Sequence, residues 1–293
     1  MREGSESKTA VLVCAGRAAA DGRTGVARFA DPTAAVLLPA AMRERVAAYR
    51  EAGEPPRGGR EGLRHVLLKA TEALMVPRTV EIDDAVRATG HGQVVILGAG
   101  LDGRAWRLGE LAGAVVYEVD HPDSQRAKRE RSAGLTLAVR EVRFVPVDFT
   151  RDDLGVRLAE AGHDAGSPTT WVWEGVVPYL SRAQVRATLA VVAGRSAPAS
   201  RLVVAYTSPS PVRYVGRLLS RLLARGGDGD MLGEEPQRST WSRARMRALL
   251  AEFGFAVASD RDVVEIGRAL AAEVAAMGPF ASANRIAVAD RAP

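Results

Sequence analysis

Beyond residue 93 the chain alternates two hydrophobic patterns. Short runs rich in apolar residues, several of them unbroken, occur at Val94–Leu97, Ala114–Val119, Val142–Val147, Thr170–Trp173, Leu202–Tyr206, Phe255–Ser259 and Arg285–Ala289. Between them lie longer stretches that read as helical: Leu101–Leu111, Ser124–Ser132, Asp152–Ala161, Arg182–Ala193, Val212–Leu223, Ser242–Phe253 and Val264–Ala275. Unbroken apolar runs suit parallel strands covered on both faces, and the longer stretches suit the helices that cover them. The alternation predicts an α/β protein with a doubly wound, mostly parallel, seven-stranded sheet. Before residue 93 no strand pattern occurs. Ala10–Ala20, Thr33–Tyr49 (started by Asp31-Pro32), Glu61–Leu74 and Arg78–Ala88 read as helices, with a Pro/Gly-rich loop over 54–60. The expected organisation is a helical cap over 1–90 and a core over 91–293, with a lid insertion near 207–241.

The first apolar run ends in Gly98-Ala99-Gly100-Leu101-Asp102-Gly103. Such a turn lets a ligand approach the backbone, and a helix behind it would offer free N–H groups. Gly98, Gly100 and Gly103 also meet the G-x-G-x-x-G spacing of dinucleotide folds. In a doubly wound sheet, ligands bind at the carboxyl ends of the strands. Three further strand ends carry acids there. The second run ends Tyr117-Glu118-Val119-Asp120, the third leads to Asp148-Phe149, and the fourth to Glu174. An acid about 20 residues past the first glycine takes ribose hydroxyls. Glu118 and Asp120 both fit, and spacing leaves both open. Asp148 beside Phe149 suits an adenine amine and ring, or else a helix cap. A half-buried Glu174 needs a cationic ligand or a local arginine. Asp102 within the turn disfavours a pyrophosphate, or caps the helix after it.

The 293 residues carry a net charge of +5, nearly all the basic charge being arginine beside Lys8, Lys69 and Lys128. The arginines are mixed with acids rather than gathered in a stripe, so no nucleic-acid partner is expected. The single cysteine excludes an internal disulfide and a cysteine metal site. No apolar run reaches membrane-spanning length and the first residues are polar. A soluble, cytoplasmic protein without a metal is expected.

Leu97-Gly98-Ala99-Gly100-Leu101-Asp102-Gly103-Arg104-Ala105-Trp106-Arg107-Leu108, Tyr117-Glu118-Val119-Asp120 and Glu174-Gly175-Val176-Val177-Pro178-Tyr179-Leu180 resemble the leucine carboxyl methyltransferase family. Within it they resemble the bacterial branch that includes polyketide O-methyltransferases of the tetracenomycin type. Lys8-Thr9-Ala10, Phe29-Ala30-Asp31-Pro32, Arg78-Thr79 with Asp83-Asp84, and Pro236–Trp241 agree. The resemblance implies a class I, Rossmann-like methyltransferase using S-adenosylmethionine and releasing S-adenosylhomocysteine. It implies Gly98, Gly100 and Asp102 at the cofactor turn, Asp120 at the ribose with Glu118 supporting, and Asp148 and Phe149 at the adenine. Glu174 would lie near the methionine end, with Arg78 and Lys8 on its carboxylate. The chain departs from the family at Gly103, where relatives commonly carry Thr, Ser or Ala.

Methyl transfer needs an aligned nucleophile and a dry site. A carboxylate acceptor needs no base, whereas a phenol must lose a proton. No histidine follows His163, so a methyl ester on a small carboxylic acid, plausibly a secondary metabolite such as a polyketide antibiotic, is the leading expectation. Hydroxyl methylation is the alternative. A nicotinamide-linked oxidoreductase and a non-catalytic cofactor-binding protein stand as readings of other classes. No residue is assigned to the chemical step. Tyr179 and Arg213 are candidates on the acceptor side, where Arg213, Arg217 and Arg221 recur at i+4.

Overall fold

The computed structural model describes residues 7–52, 58–148, 151–210, 237–271 and 281–292. Seven strands form one sheet in the order β3-β2-β1-β4-β5-β7-β6: β1 Gln93–Leu97, β2 Val115–Asp120, β3 Glu141–Pro146, β4 Thr169–Trp173, β5 Arg201–Thr207, β6 Phe255–Asp262 and β7 Asn284–Arg291. The first five pair in parallel, while β7 runs antiparallel between β5 and β6. All seven expected strands are present, with ends moved by at most three residues.

Side-chain alternation along these strands divides the core. Val95, Leu97, Tyr117, Val119, Trp171, Trp173, Leu202 and Val204 point to one face, packing on Leu158, Leu189 and Leu249. Those three belong to α7 (Leu154–Glu160), α8 (Arg182–Gly194) and α9 (Arg243–Glu252). Val94, Ile96, Val116, Val172 and Val203 point to the other face, against Ile82, Val86, Ala105 and Ile266. These lie on α4 (Gly59–Arg87), α5 (Arg104–Arg107) and α10 (Val263–Ala269). Burial of both faces is why the central strands β1, β4 and β5 are mostly apolar, whereas β3 at the sheet edge keeps Glu141 and Arg143 half-exposed.

The amino-terminal segment is helical: α1 Lys8–Ala20, α2 Ala34–Leu37 and α3 Ala40–Glu51 precede α4. The helix expected over 33–49 is two, because Leu38 turns extended (ψ 145°) ahead of Pro39. The reverse happens at 61–88, where two expected helices are one, running through Pro77. A proline removes one ladder hydrogen bond. Here the cost is offset by packing on both sides of it, with Met75, Val76, Val80 and Ile82 all buried. The last turns of α4 pack on the sheet, so residues 1–90 include an element of the sheet's own cover. The helix expected over 101–111 shrinks to the four residues of α5, since Leu108 leaves helical backbone (ψ 89°). A 3₁₀ turn, Gly109–Leu111, follows.

The expected helix at Val212–Leu223, most of the lid region, Arg213, Arg217, Arg221 and Phe149 lie outside the described residues. Among the described residues no helix is long and apolar enough to cross a membrane.

Candidate active site

Strand register brings the motifs together. Leu97 pairs with both Val119 and Trp173, and Asp120 with Pro146. The residues that follow β1, β3 and β4, together with Asp120 at the end of β2, therefore meet along one carboxyl edge. Here β1 lies between β2 and β4, the switch point where such folds bind ligands. A cavity of about 870 Å³ opens there, lined among others by Gly98, Gly100, Asp102, Asp120, Asp148, Glu174, Arg78 and Tyr179. The structure thus gathers eight residues singled out from the sequence around one space. Lys8 is exposed at the start of α1, and the lining from that helix comes from Ser7, Thr9, Ala10, Val13 and Arg17.

Glycine is required in the turn for two different reasons. Gly98 (φ 68°) and Gly100 (φ 48°) take left-handed backbone, which L side chains adopt at a cost. Gly98 donates its N–H to Val119 O at 2.8 Å, and a Cβ on it would lie 2.2 Å from Val176 Cγ2. Gly103 has ordinary backbone (φ −105°). Its missing Cβ makes room for the Thr33 hydroxyl, 1.9 Å from where that Cβ would sit. The place of a residue-103 side chain is thus filled by a side chain from the amino-terminal segment. With α5 so short and Asp102 Oδ1 accepting the Arg104 N–H at 2.8 Å, the turn does not rest on a long helix dipole. Asp102 is therefore a helix cap as well as a wall of the cavity.

The structure separates the two acids of β2. Asp120 accepts the N–H of Gly100 at 2.5 Å and of His121 at 2.6 Å, so it shapes the turn from within the cavity wall. Burial pushes its carboxyl up despite those two donors. Glu118 is fully buried on the opposite side of the strand from Tyr117. It faces Lys128 Nζ of α6 (Pro122–Ser132) at 2.6 Å, and that ammonium sits 5.2 Å from the Trp106 ring centre. Burial pushes the Glu118 carboxyl up to about 7, against the pull of Lys128. Asp148 and Asp120 line the same cavity as Arg151 and Asp152.

At the opposite end Glu174 meets Arg78 Nε at 2.8 Å and Arg104 Nη1 at 3.0 Å. The sequence expected either a cationic ligand or an arginine beside Glu174, and the structure supplies two arginines. Burial alone would raise the Glu174 carboxyl, but Arg78 and then Arg104 hold it below the usual range. Glu174 Oε1 and Arg78 Nε are close in charge contact yet make no directed hydrogen bond. Both residues line the cavity, so a ligand carrying an ammonium and a carboxylate would meet complementary charges there.

The pair is one end of a buried chain of charges that the sequence reading did not find. Arg104 also meets Asp102 and, at 2.8 Å, Asp83. Asp83 holds Arg107 at 2.5 Å, Arg107 lies 3.7 Å from Asp31, and Asp31 holds Arg17 at 2.7 Å. Arg17 closes on Leu101 O at 2.7 Å. Four arginines alternate with four acids, Arg17, Asp31, Arg78 and Asp83 coming from the amino-terminal segment and the rest from the cofactor turn and β4 end. Burial penalises each charge, and only such alternation keeps it ionised. Burial would raise Asp102, yet Arg104, followed by Lys128 and Arg17, brings it down to about 2. One signal was available: Arg17 is the sole charged residue inside the apolar run from Ala10 to Ala20.

The leucine carboxyl methyltransferase model matches residues 10–193, more than half of the chain. A putative S-adenosyl-L-methionine-dependent methyltransferase of Mycolicibacterium smegmatis is 36% identical over 206 residues, covering 66% of this chain and 64% of that protein. A protein of the same description from Mycobacterium avium is 48% identical over 126 residues, 42% of this chain and 39% of its own. The matched part is less than two-thirds of each of these relatives. Among solved structures, a DUF574 family protein of Streptomyces avermitilis shares the fold (TM-score 0.58, 12% identity, 99% of both chains). A protein of Bordetella parapertussis does so at a TM-score of 0.51 with 16% identity, over 98% of this chain and 96% of that one. The glycine turn, the acids of the strand ends and the Arg78 segment all lie within the matched span, and the chain belongs to the leucine carboxyl methyltransferase family.

Proposed function

We propose that this protein is an S-adenosylmethionine-dependent O-methyltransferase that forms a methyl ester on a small-molecule carboxylic acid. The observation that carries the cofactor reading is the charge order along one cavity. Asp120, already shaping the glycine turn, suits a ribose diol, and Asp148 suits an adenine amine. The cavity-lining Arg78–Glu174 pair suits an α-carboxylate and an α-ammonium. When bound, the cofactor supplies a methyl group on a sulfonium, which an acceptor oxygen attacks in line. The chain's part is to bind, orient and exclude water. The volume, about 870 Å³, lies in the upper range for small-molecule sites and leaves space for an acceptor beside a cofactor.

The ester reading is supported by what faces the cavity. Its one histidine, His121, stands next to Asp120 at the ribose end. The walls from α1 and from the segment after β4 offer Val13, Val176, Tyr179 and Leu180. An already ionised carboxylate needs no base from such walls, whereas a phenol does. The family, in place of the dinucleotide spacing, is the ground for preferring this cofactor to a nicotinamide.

Calorimetry with S-adenosylhomocysteine and with NADP tests the cofactor, and only the former should bind and raise the melting temperature. Aromatic and aliphatic carboxylic acids and phenols, incubated with methyl-labelled cofactor and scored for ester and ether products, test the acceptor. Methylation of phenols with every acid inert would remove the ester reading and leave the methyltransferase reading standing.

A further inference from the structure

Two carboxylates of the cavity wall, Asp102 and Glu174, bind the same nitrogen, Nη1 of Arg104. Arg104 is itself buried, at 3% exposure, and is not part of the wall. Its Nε donates to Asp83 Oδ1 at 2.8 Å. Asp83 is gripped from the other side by Arg107 through Nη1 at 2.5 Å and Nη2 at 3.0 Å. The guanidinium plane is therefore fixed from α4, and its free edge holds the two wall acids together.

We propose that Arg104 is a positioning residue for the amino-acid end of the cofactor, acting through Glu174 and Asp102. The inference rests on the methyltransferase reading above. Two acids converging on one point repel, and without a cation one takes a proton or swings away. A planar fork with several donors holds three carboxylates in one fixed geometry, which an ammonium on a flexible stem does not impose. With Arg104 in place, Glu174 Oε2 is spoken for and Oε1 is left towards Arg78. Counted over Arg78, Arg104, Asp102 and Glu174, the subsite is neutral. A neutral subsite accepts a zwitterionic amino-acid end without leaving a buried charge uncompensated. A lone anion or cation would unbalance it.

The test compares Arg104→Gln and Arg104→Lys with the unaltered protein, using S-adenosylhomocysteine and 5′-methylthioadenosine, which lacks the amino-acid end. For Arg104→Gln, affinity for S-adenosylhomocysteine should fall about tenfold or more, since charge-assisted contacts are lost. Affinity for 5′-methylthioadenosine should stay within about twofold. Arg104→Lys should fall between the two for S-adenosylhomocysteine, and it carries the comparison if the glutamine variant does not fold. In Arg104→Gln the affinity for S-adenosylhomocysteine should also drop as pH is lowered from about 8 to 6, because one of two neighbouring carboxylates then binds a proton. A purely structural role predicts no such pH dependence. Equal loss of both ligands, or loss of neither, overturns the proposal. If the unaltered protein binds neither ligand, the methyltransferase reading fails and the proposal with it.

Discussion

Replacing Gly103 with alanine should destabilise the protein through a contact between distant parts of the chain. The backbone at Gly103 (φ −105°, ψ 2°) is open to alanine, so the cost is steric. The new Cβ would stand 1.9 Å from Thr33 Oγ1 and 3.2 Å from Asp31 Oδ1. The hydroxyl must move by more than an ångström. It donates to Asp31 at 2.6 Å, and Asp31 in turn holds Arg17. Overpacking of this kind costs about 1–3 kcal/mol, and losing the bond to a charged acceptor about 1.5–3 kcal/mol. Gly103→Ala should therefore cost about 2.5–6 kcal/mol. Thr33→Ala should cost about 1.5–3 kcal/mol by the lost hydrogen bond alone. In the Thr33→Ala background the added methyl meets only the 3.2 Å neighbours, and its cost should drop below about 1 kcal/mol. Urea midpoints at unchanged slope measure all three variants. Equal cost of Gly103→Ala in both backgrounds, to within about 0.5 kcal/mol, would refute the idea that Thr33 occupies the place of a residue-103 side chain.

Asp120→Ala should lower S-adenosylhomocysteine affinity at least about tenfold, because it removes both a ribose acceptor and the anchor of the Gly100 N–H. Glu118→Gln should change that affinity less, and calorimetry showing the reverse order would exchange their roles. Arg78→Ala should weaken S-adenosylhomocysteine about tenfold or more and 5′-methylthioadenosine little. Equal weakening would indicate a folding defect instead. Glu118 also predicts a pH dependence. Its carboxyl rises from 4.5 to about 7 on folding, so the folded state binds the proton more tightly. Stability should then fall by about 3 kcal/mol as pH climbs from about 4.5 to 7. Glu118→Gln should flatten that slope in urea titrations, and an unchanged slope would rule out Glu118 as its source.

Period and run length along the chain located the strands, because those at the centre of the sheet are buried on both faces and carry few polar positions to confuse the pattern. The acids at successive strand ends were legible for the same reason: each breaks an apolar run where the chain leaves the sheet. Helix limits were less legible. Pro77 reads locally as a break, but buried neighbours on both sides carry α4 through it. Leu101–Leu111 reads locally as a helix, but its backbone departs at Leu108. The partners of the acids could not be read from spacing at all. Glu118 and Asp120 are equivalent by position, and only the packing of α6 brings Lys128 to one while the glycine turn offers its N–H to the other. Arg17, Asp31, Asp83, Arg104 and Arg107 lie as much as ninety residues apart in sequence. Their order as a single buried chain of alternating charge is a property of how α1 and α4 dock against the cofactor turn. Burial makes each of those charges costly alone, so their pairing, and the shape of the cavity end at Arg78 and Glu174 that depends on it, was decided only by the tertiary structure.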